Sequence, residues 1–135
     1  EWILKKETYS YLDTYATPLT YEDAVRFILD YARNNQYIVK CALDTFAMEE
    51  LKRFFHKDIH RTIKNFIAEM ASDRQVSDDY LDFLTNFYTY ALVHLLIEWM
   101  KNGMKEDDDT IVRRIRTVVS GTINQALKNA EEEKC

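Results

Sequence analysis

Glycine and proline are nearly absent from this 135-residue chain: Gly103, Gly121 and Pro18 are all it has. A sheet needs turn residues at every hairpin, and three of them cannot serve a β-sandwich or barrel. Helix interiors are left unbroken by the same scarcity, so a few long helices are expected. Cysteine is also sparse, at Cys41 and Cys135, with no CxxC or other metal-ligand spacing. This argues against a disulfide framework and fits a reducing cytoplasm. No signal peptide is visible. The longest uncharged stretch, Phe83 to Ile97, is interrupted by Thr85, Asn86, Thr89 and His94 and falls short of the ~20 residues that span a bilayer. Membrane partnership is therefore not expected. Phosphate loops, Rossmann glycine patterns and nucleophile elbows are missing. Positive charge is not concentrated either: the formal charge is −5 and Lys and Arg are dispersed. Nucleic-acid backbones demand clustered cations, so this segment alone is a poor DNA binder.

What the chain does have is apolar bulk: nine Tyr, seven Phe and two Trp in a length sufficient for one cored domain. Glu1 to Tyr15 reads as a first amphipathic helix, entered partway along and stopped by Thr17-Pro18. Thr20 caps the next, ahead of Glu22 and Asp23, and Asn34-Asn35 ends it. Tyr37 to Leu43 is a short helical piece, and Asp44-Thr45 a break and cap. A long helix to about Ala71 carries Leu51, Phe55, Ile59, Ile63 and Ile67 at every fourth position, with Lys52, Arg53, Lys57, Arg61 and Lys64 outside. Ser77 caps another long helix, which Gly103 stops. Glu106 to Asp109 opens the last, with a charged tail expected at 131–135. The expected fold is all-α: a single-domain antiparallel helical bundle of about six helices.

The helix after Ser77 has more apolar surface than one core can use. Asp82, Thr85, Asn86 and Thr89 share one side; His94, Glu98 and Lys101 share another, roughly 140° away. Such a helix must bury one face in its own domain and much of a second elsewhere. The simplest cover is a second copy, because closed twofold dimers are the commonest soluble oligomers.

Chemistry-bearing residues are few. His56 and His60, at i, i+4, could share a metal ion, but the cations Lys57 and Arg61 oppose one and no third ligand is evident, so no metal is expected. His94 lies in an apolar run without an identifiable Ser or Cys partner, which leaves it a core, interface or ligand-anchoring histidine rather than a catalytic base. Paired acids such as Asp78-Asp79 and Asp107-Asp108-Asp109 read as helix starts. Neither an enzyme nor a cofactor is expected.

The second half of the chain resembles the C-terminal domain of TetR-type transcriptional regulators. The residues that carry the resemblance are Phe87-Tyr88, Tyr90-Ala91-Leu92, Leu95-Leu96, Trp99-Met100 and Gly103-Met104, followed by an acidic helix start and Ile111. Glu1-Trp2-Ile3 is similar to the stretch that follows the family's helix-turn-helix head. Thr20 to Leu43 is similar in outline to the subgroup of dihydroxyacetone-kinase operon regulators.

The resemblance implies a linker helix at 1–16 after a DNA-binding head that is missing here. It implies an effector-binding and dimerisation domain at 17–130, and a homodimer whose last two long helices pack into a four-helix interface. Leu92, Leu96, Ile111, Ile115, Val118, Val119 and Thr122 are the expected interface residues. DNA would be met only through the head. The family carries no fixed ligand residues, so the pocket for an unknown small-molecule effector is inferred from polar groups set among aromatics: Phe55, Phe66, Tyr88, His94 and Trp99. The alternative is a helical protein-interaction module acting through a partner protein.

Overall fold

A computed structural model describes residues 19–133. The expected helix from Glu1 to Tyr15, its Pro18 stop and Cys135 lie outside the described residues. Five helices follow, and the described residues include no strand: α1 (Tyr21–Asn34), α2 (Gln36–Leu43), α3 (Ala47–Met70), α4 (Asp78–Lys101) and α5 (Asp108–Glu133).

The helix ends are set by local chemistry. Thr20 Oγ1 accepts from the Asp23 N–H at 3.1 Å and Ser77 Oγ from the Tyr80 N–H at 3.2 Å, satisfying first-turn donors that have no helical partner. At the end of α1 the Asn35 amide donates back to the Tyr31 carbonyl at 2.9 Å. Gly103 ends α4 with φ 88°, and Met104 follows at φ 57° with its N–H on the Trp99 carbonyl at 3.0 Å. This left-handed exit reverses the chain and returns Met104 to the edge of the core.

Leu51, Phe55, Ile59, Ile63 and Ile67 form one buried row on α3, facing the inner side of α4. α1 lies over α3 and runs antiparallel to α5, to which it is joined by three ion pairs: Glu22–Arg116 at 3.0 Å, Arg26–Asp109 at 3.0 Å and Arg33–Asp108 at 2.7 Å. α5 contributes Ile111, Val112, Ile115, Val119, Ile123 and Leu127 to the common core. Its helix continues through Glu133, into the stretch expected to be a charged tail, because the loop before α4 holds it. Arg74 donates to Glu131 at 3.3 Å and to Asn124 at 3.2 Å, and the Gln75 N–H donates to Glu131 at 3.0 Å.

Candidate interaction face

The two sides of α4 are not arranged as the polarity of its residues suggests. Thr85 and Thr89 point inward and are buried. Each hydroxyl donates to the carbonyl four residues back, Leu81 at 2.8 Å and Thr85 at 2.7 Å, so burial leaves no open donor and the methyl groups pack as apolar surface. The outward side is apolar instead: Phe83, Phe87 and Leu95 are 60%, 57% and 50% exposed, and Phe83 and Phe87 lie ring to ring at 6.3 Å. With Ala91 they form one row at every fourth position. Across from it on α5, Val118 is 55% exposed.

Between these two helices the surface opens into a groove of about 490 Å³. Two ties keep the helices at this separation. The Tyr88 and Thr122 hydroxyls share a hydrogen bond partway along, and the Trp99 indole N–H donates to the Glu106 carbonyl at 3.1 Å where the chain turns. Leu92, Leu96, Ile111, Ile115 and Val119 are buried and form the groove floor; Phe87, Leu95 and Val118 form its rims. Apart from the Tyr88 hydroxyl and the Trp99 indole N–H, both bonded within the chain, its polar side chains are Glu98, Asn102, Arg114 and the turn residue Glu106. Arg114 has no ion-pair partner among the described residues, whereas Glu98 faces Lys101 and His94, each at 3.8 Å.

The seven expected interface residues therefore divide. Leu92, Leu96, Ile111, Ile115 and Val119 are already covered by their own chain, and only Val118 and Thr122 stand open. The exposed row Phe83, Phe87 and Leu95 was not among them. Its signal was present in the four-residue spacing, on the side that the threonines did not take.

The five expected pocket residues do not share one cavity. Tyr88 and Trp99 line the α4–α5 groove. His94 lies about 120–140° around the helix from both, and its side chain is 71% exposed. It lines a separate hollow of about 360 Å³ with His56, Lys52, Arg53 and Tyr90. Phe55 is in the core, 6.1 Å from the Tyr31 ring and 5.5 Å from Phe54; Phe66 packs edge-on to Tyr21 at 5.1 Å.

His56 and His60 stack at 5.3 Å. Partial burial, and then the charge of His60, hold the His56 imidazolium below its usual pKa. Among the described residues no three His, Cys, Asp or Glu side chains come together to hold a metal ion. The hollow's cations are largely answered from within: Lys52 by Glu49 at 3.7 Å and Arg53 by Glu50 at 2.7 Å. A third hollow, about 530 Å³, lies where α2 meets the end of α4, with Val39, Leu43, Met100 and Met104 below and Lys40, Asp44 and Lys101 at its mouth. No described helix is long and apolar enough to cross a membrane.

A TetR-type family model, described as the C-terminal region of transcriptional regulators, matches residues 20–121. That span takes in α1 through α4 and the first half of α5. No curated protein and no solved structure matches the chain.

Proposed function

The chain belongs to the TetR-type family of transcriptional regulator C-terminal regions, and from that premise we propose that it is the regulatory domain of a DNA-binding regulator and works as a homodimer through the outer faces of α4 and α5. The observation that carries the dimer is the contiguous apolar surface of Phe83, Phe87, Leu95 and Val118 beside an apolar groove. These four half-exposed side chains amount to several hundred Å², near the upper end of what a monomer leaves in water. A twofold pair can cover it with the same surface on both copies, ridge into groove.

DNA is read elsewhere in such a protein, since the segment is acidic overall and the basic side of α3 is interleaved with Glu49, Glu50 and Asp58, which pair with Lys52, Arg53 and Arg61. The cytoplasm is the matching place of action. An effector would act by fitting one packing of the helices better than another and shifting the pair toward it. Within the family, the outline of Thr20 to Leu43 supports a place near the dihydroxyacetone-kinase operon regulators.

Light scattering tests the dimer. The expected mass is twice 16.1 kDa, falling to the single-chain mass in Leu95→Lys/Val118→Lys with unchanged far-UV circular dichroism. Both positions are open to solvent, so the folded protomer tolerates the lysines. A wild type that stays monomeric at 100 μM-scale concentration would sink the reading and assign the face to a different protein.

A further inference from the structure

Gly121 lies near the middle of α5 on its exposed side. Glycine inside a helix disfavours that helix roughly fivefold relative to alanine. Nothing among the described residues accounts for it. The residue is helical, not left-handed like Gly103, and a Cβ built on it meets open space within 4 Å.

Its surroundings are unusual in a second way. From Thr117 to Leu127 α5 carries no charged residue, in a chain that is 30% charged, although Thr117, Val118, Ser120, Thr122, Asn124 and Gln125 are all exposed. Charge returns immediately on both sides, at Arg116 and Lys128. The exposed polar groups in this window are mostly engaged within the chain. Thr117 and Thr122 donate to the Arg113 and Val118 carbonyls at 2.9 and 2.7 Å, Asn124 accepts from Arg74, and Gln125 donates to Asn129 at 2.9 Å. Such a surface loses little hydrogen bonding when water leaves it. Depletion of charge is what marks the covered centre of an interface.

We infer that a second copy of the chain crosses α5 at Gly121, backbone close to backbone, so that the glycine sits at or beside the twofold axis. An isologous contact brings a residue on the axis against its own counterpart, and only a residue without a side chain lets two helices meet there at the shortest distance. The patch is continuous with Val118 and the α4–α5 groove, which makes a second copy the occupant already called for on that side. The inference rests on the dimer reading given above and adds where the two copies touch most closely.

Gly121→Ala and Gly121→Leu test it, with sedimentation equilibrium for the dimer and urea unfolding of dilute, monomeric protein for the fold. Alanine is expected to make the dilute monomer more resistant to urea while weakening the dimer roughly tenfold; leucine is expected to weaken it a hundredfold or more with circular dichroism unchanged. These opposite signs in one variant separate interface loss from misfolding. A Gly121→Ala dimer as tight as wild type, or tighter, would overturn the close crossing. If Leu95→Lys/Val118→Lys splits the dimer and Gly121→Leu does not, the dimer reading stands and the crossing falls. A wild type monomeric throughout would remove both.

Discussion

Replacing Arg33 with alanine removes three interactions at one junction. Its guanidinium donates to Asp108 at 2.7 Å and to the Glu106 carbonyl at 2.8 Å, and lies 5.0 Å from the centre of the Trp99 ring. Together these fasten the start of α5 to α1 and to the end of α4. The Asp108 pair is charge-assisted, but its side chains are 35% and 32% exposed, so solvent reduces it to about 1 kcal/mol. The carbonyl bond contributes up to about 1 kcal/mol, since Glu106 still accepts from Trp99 when Arg33 is gone. The cation over the indole adds about 0.5–1 kcal/mol. Arg33→Ala should therefore cost about 2–3 kcal/mol, and Arg33→Lys about 1, since lysine keeps the charge but not the fork. With a urea slope of about 2 kcal/mol per M, the alanine variant's midpoint should fall by about 1–1.5 M at constant slope. A loss below about 0.5 kcal/mol would refute the reasoning. So would full additivity of Arg33→Ala and Asp108→Ala in a double-mutant cycle, because groups in contact must couple.

Leu95 and Leu96 offer a contrast between adjacent residues. Leu96 is fully buried in the groove floor and its truncation to alanine should cost about 3 kcal/mol, while Leu95→Ala, on the open rim, should leave monomer stability within about 0.5 kcal/mol; thermal melts of dilute protein that rank the two equally would contradict the assigned faces. His56 supplies a pH dependence. Its folded pKa lies below the ordinary value of 6.5, so protons bind the unfolded chain more readily. The stability involved is complete above that value and is lost as pH falls from there through the folded pKa. Burial and the charge of the stacked His60 oppose protonation of His56; Lys52, Arg53 and Glu49 on α3 and Tyr90 and His94 on α4 are the other titratable or charged groups lining its hollow. Melting midpoints should drop between pH 7 and 5, and less so in His56→Gln; parallel curves for the two proteins would show that His56 is not responsible.

The helix limits were legible because each rests on a few neighbouring atoms: the hydroxyls of Thr20 and Ser77, the positive φ of Gly103, the four-residue row on α3. Orientation within α4 was less so. A threonine counts as polar in any periodicity, yet the backbone four residues back satisfies Thr85 and Thr89 and turns them into inward-facing packing groups. Reading them as an outer face conceals the row that is outside. Periodicity also gives faces without saying what covers them. Ile115 and Val119 belong to an apolar seam of α5, which is buried with α1 of the same chain packed on the helix and α4 across the groove. The candidate pocket residues do not line one cavity because Phe55, Tyr88 and His94 project from different sides of their helices, a separation visible only once the partners of each side are known.

Thr62, Thr85 and Thr89 are the buried polar side chains on α3 and α4, and Thr62 also turns its hydroxyl back on its own helix, to the Asp58 carbonyl at 2.7 Å. The inner contact of these two helices thus relies on shape and dispersion, which tolerate small displacement, while directional bonds are concentrated at the periphery through Arg33, Arg74 and Arg116. A core of this kind can slip by a fraction of a side chain without rupturing a single buried hydrogen bond. Shear between packed helices is one of the modes by which switching proteins move. Among the described residues the buried contact of α3 with α4 is thus free of directional bonds between the two helices, while the ion pairs of Arg33 and Arg116 pin α1 to α5 and that of Arg74 pins the α3–α4 loop to α5.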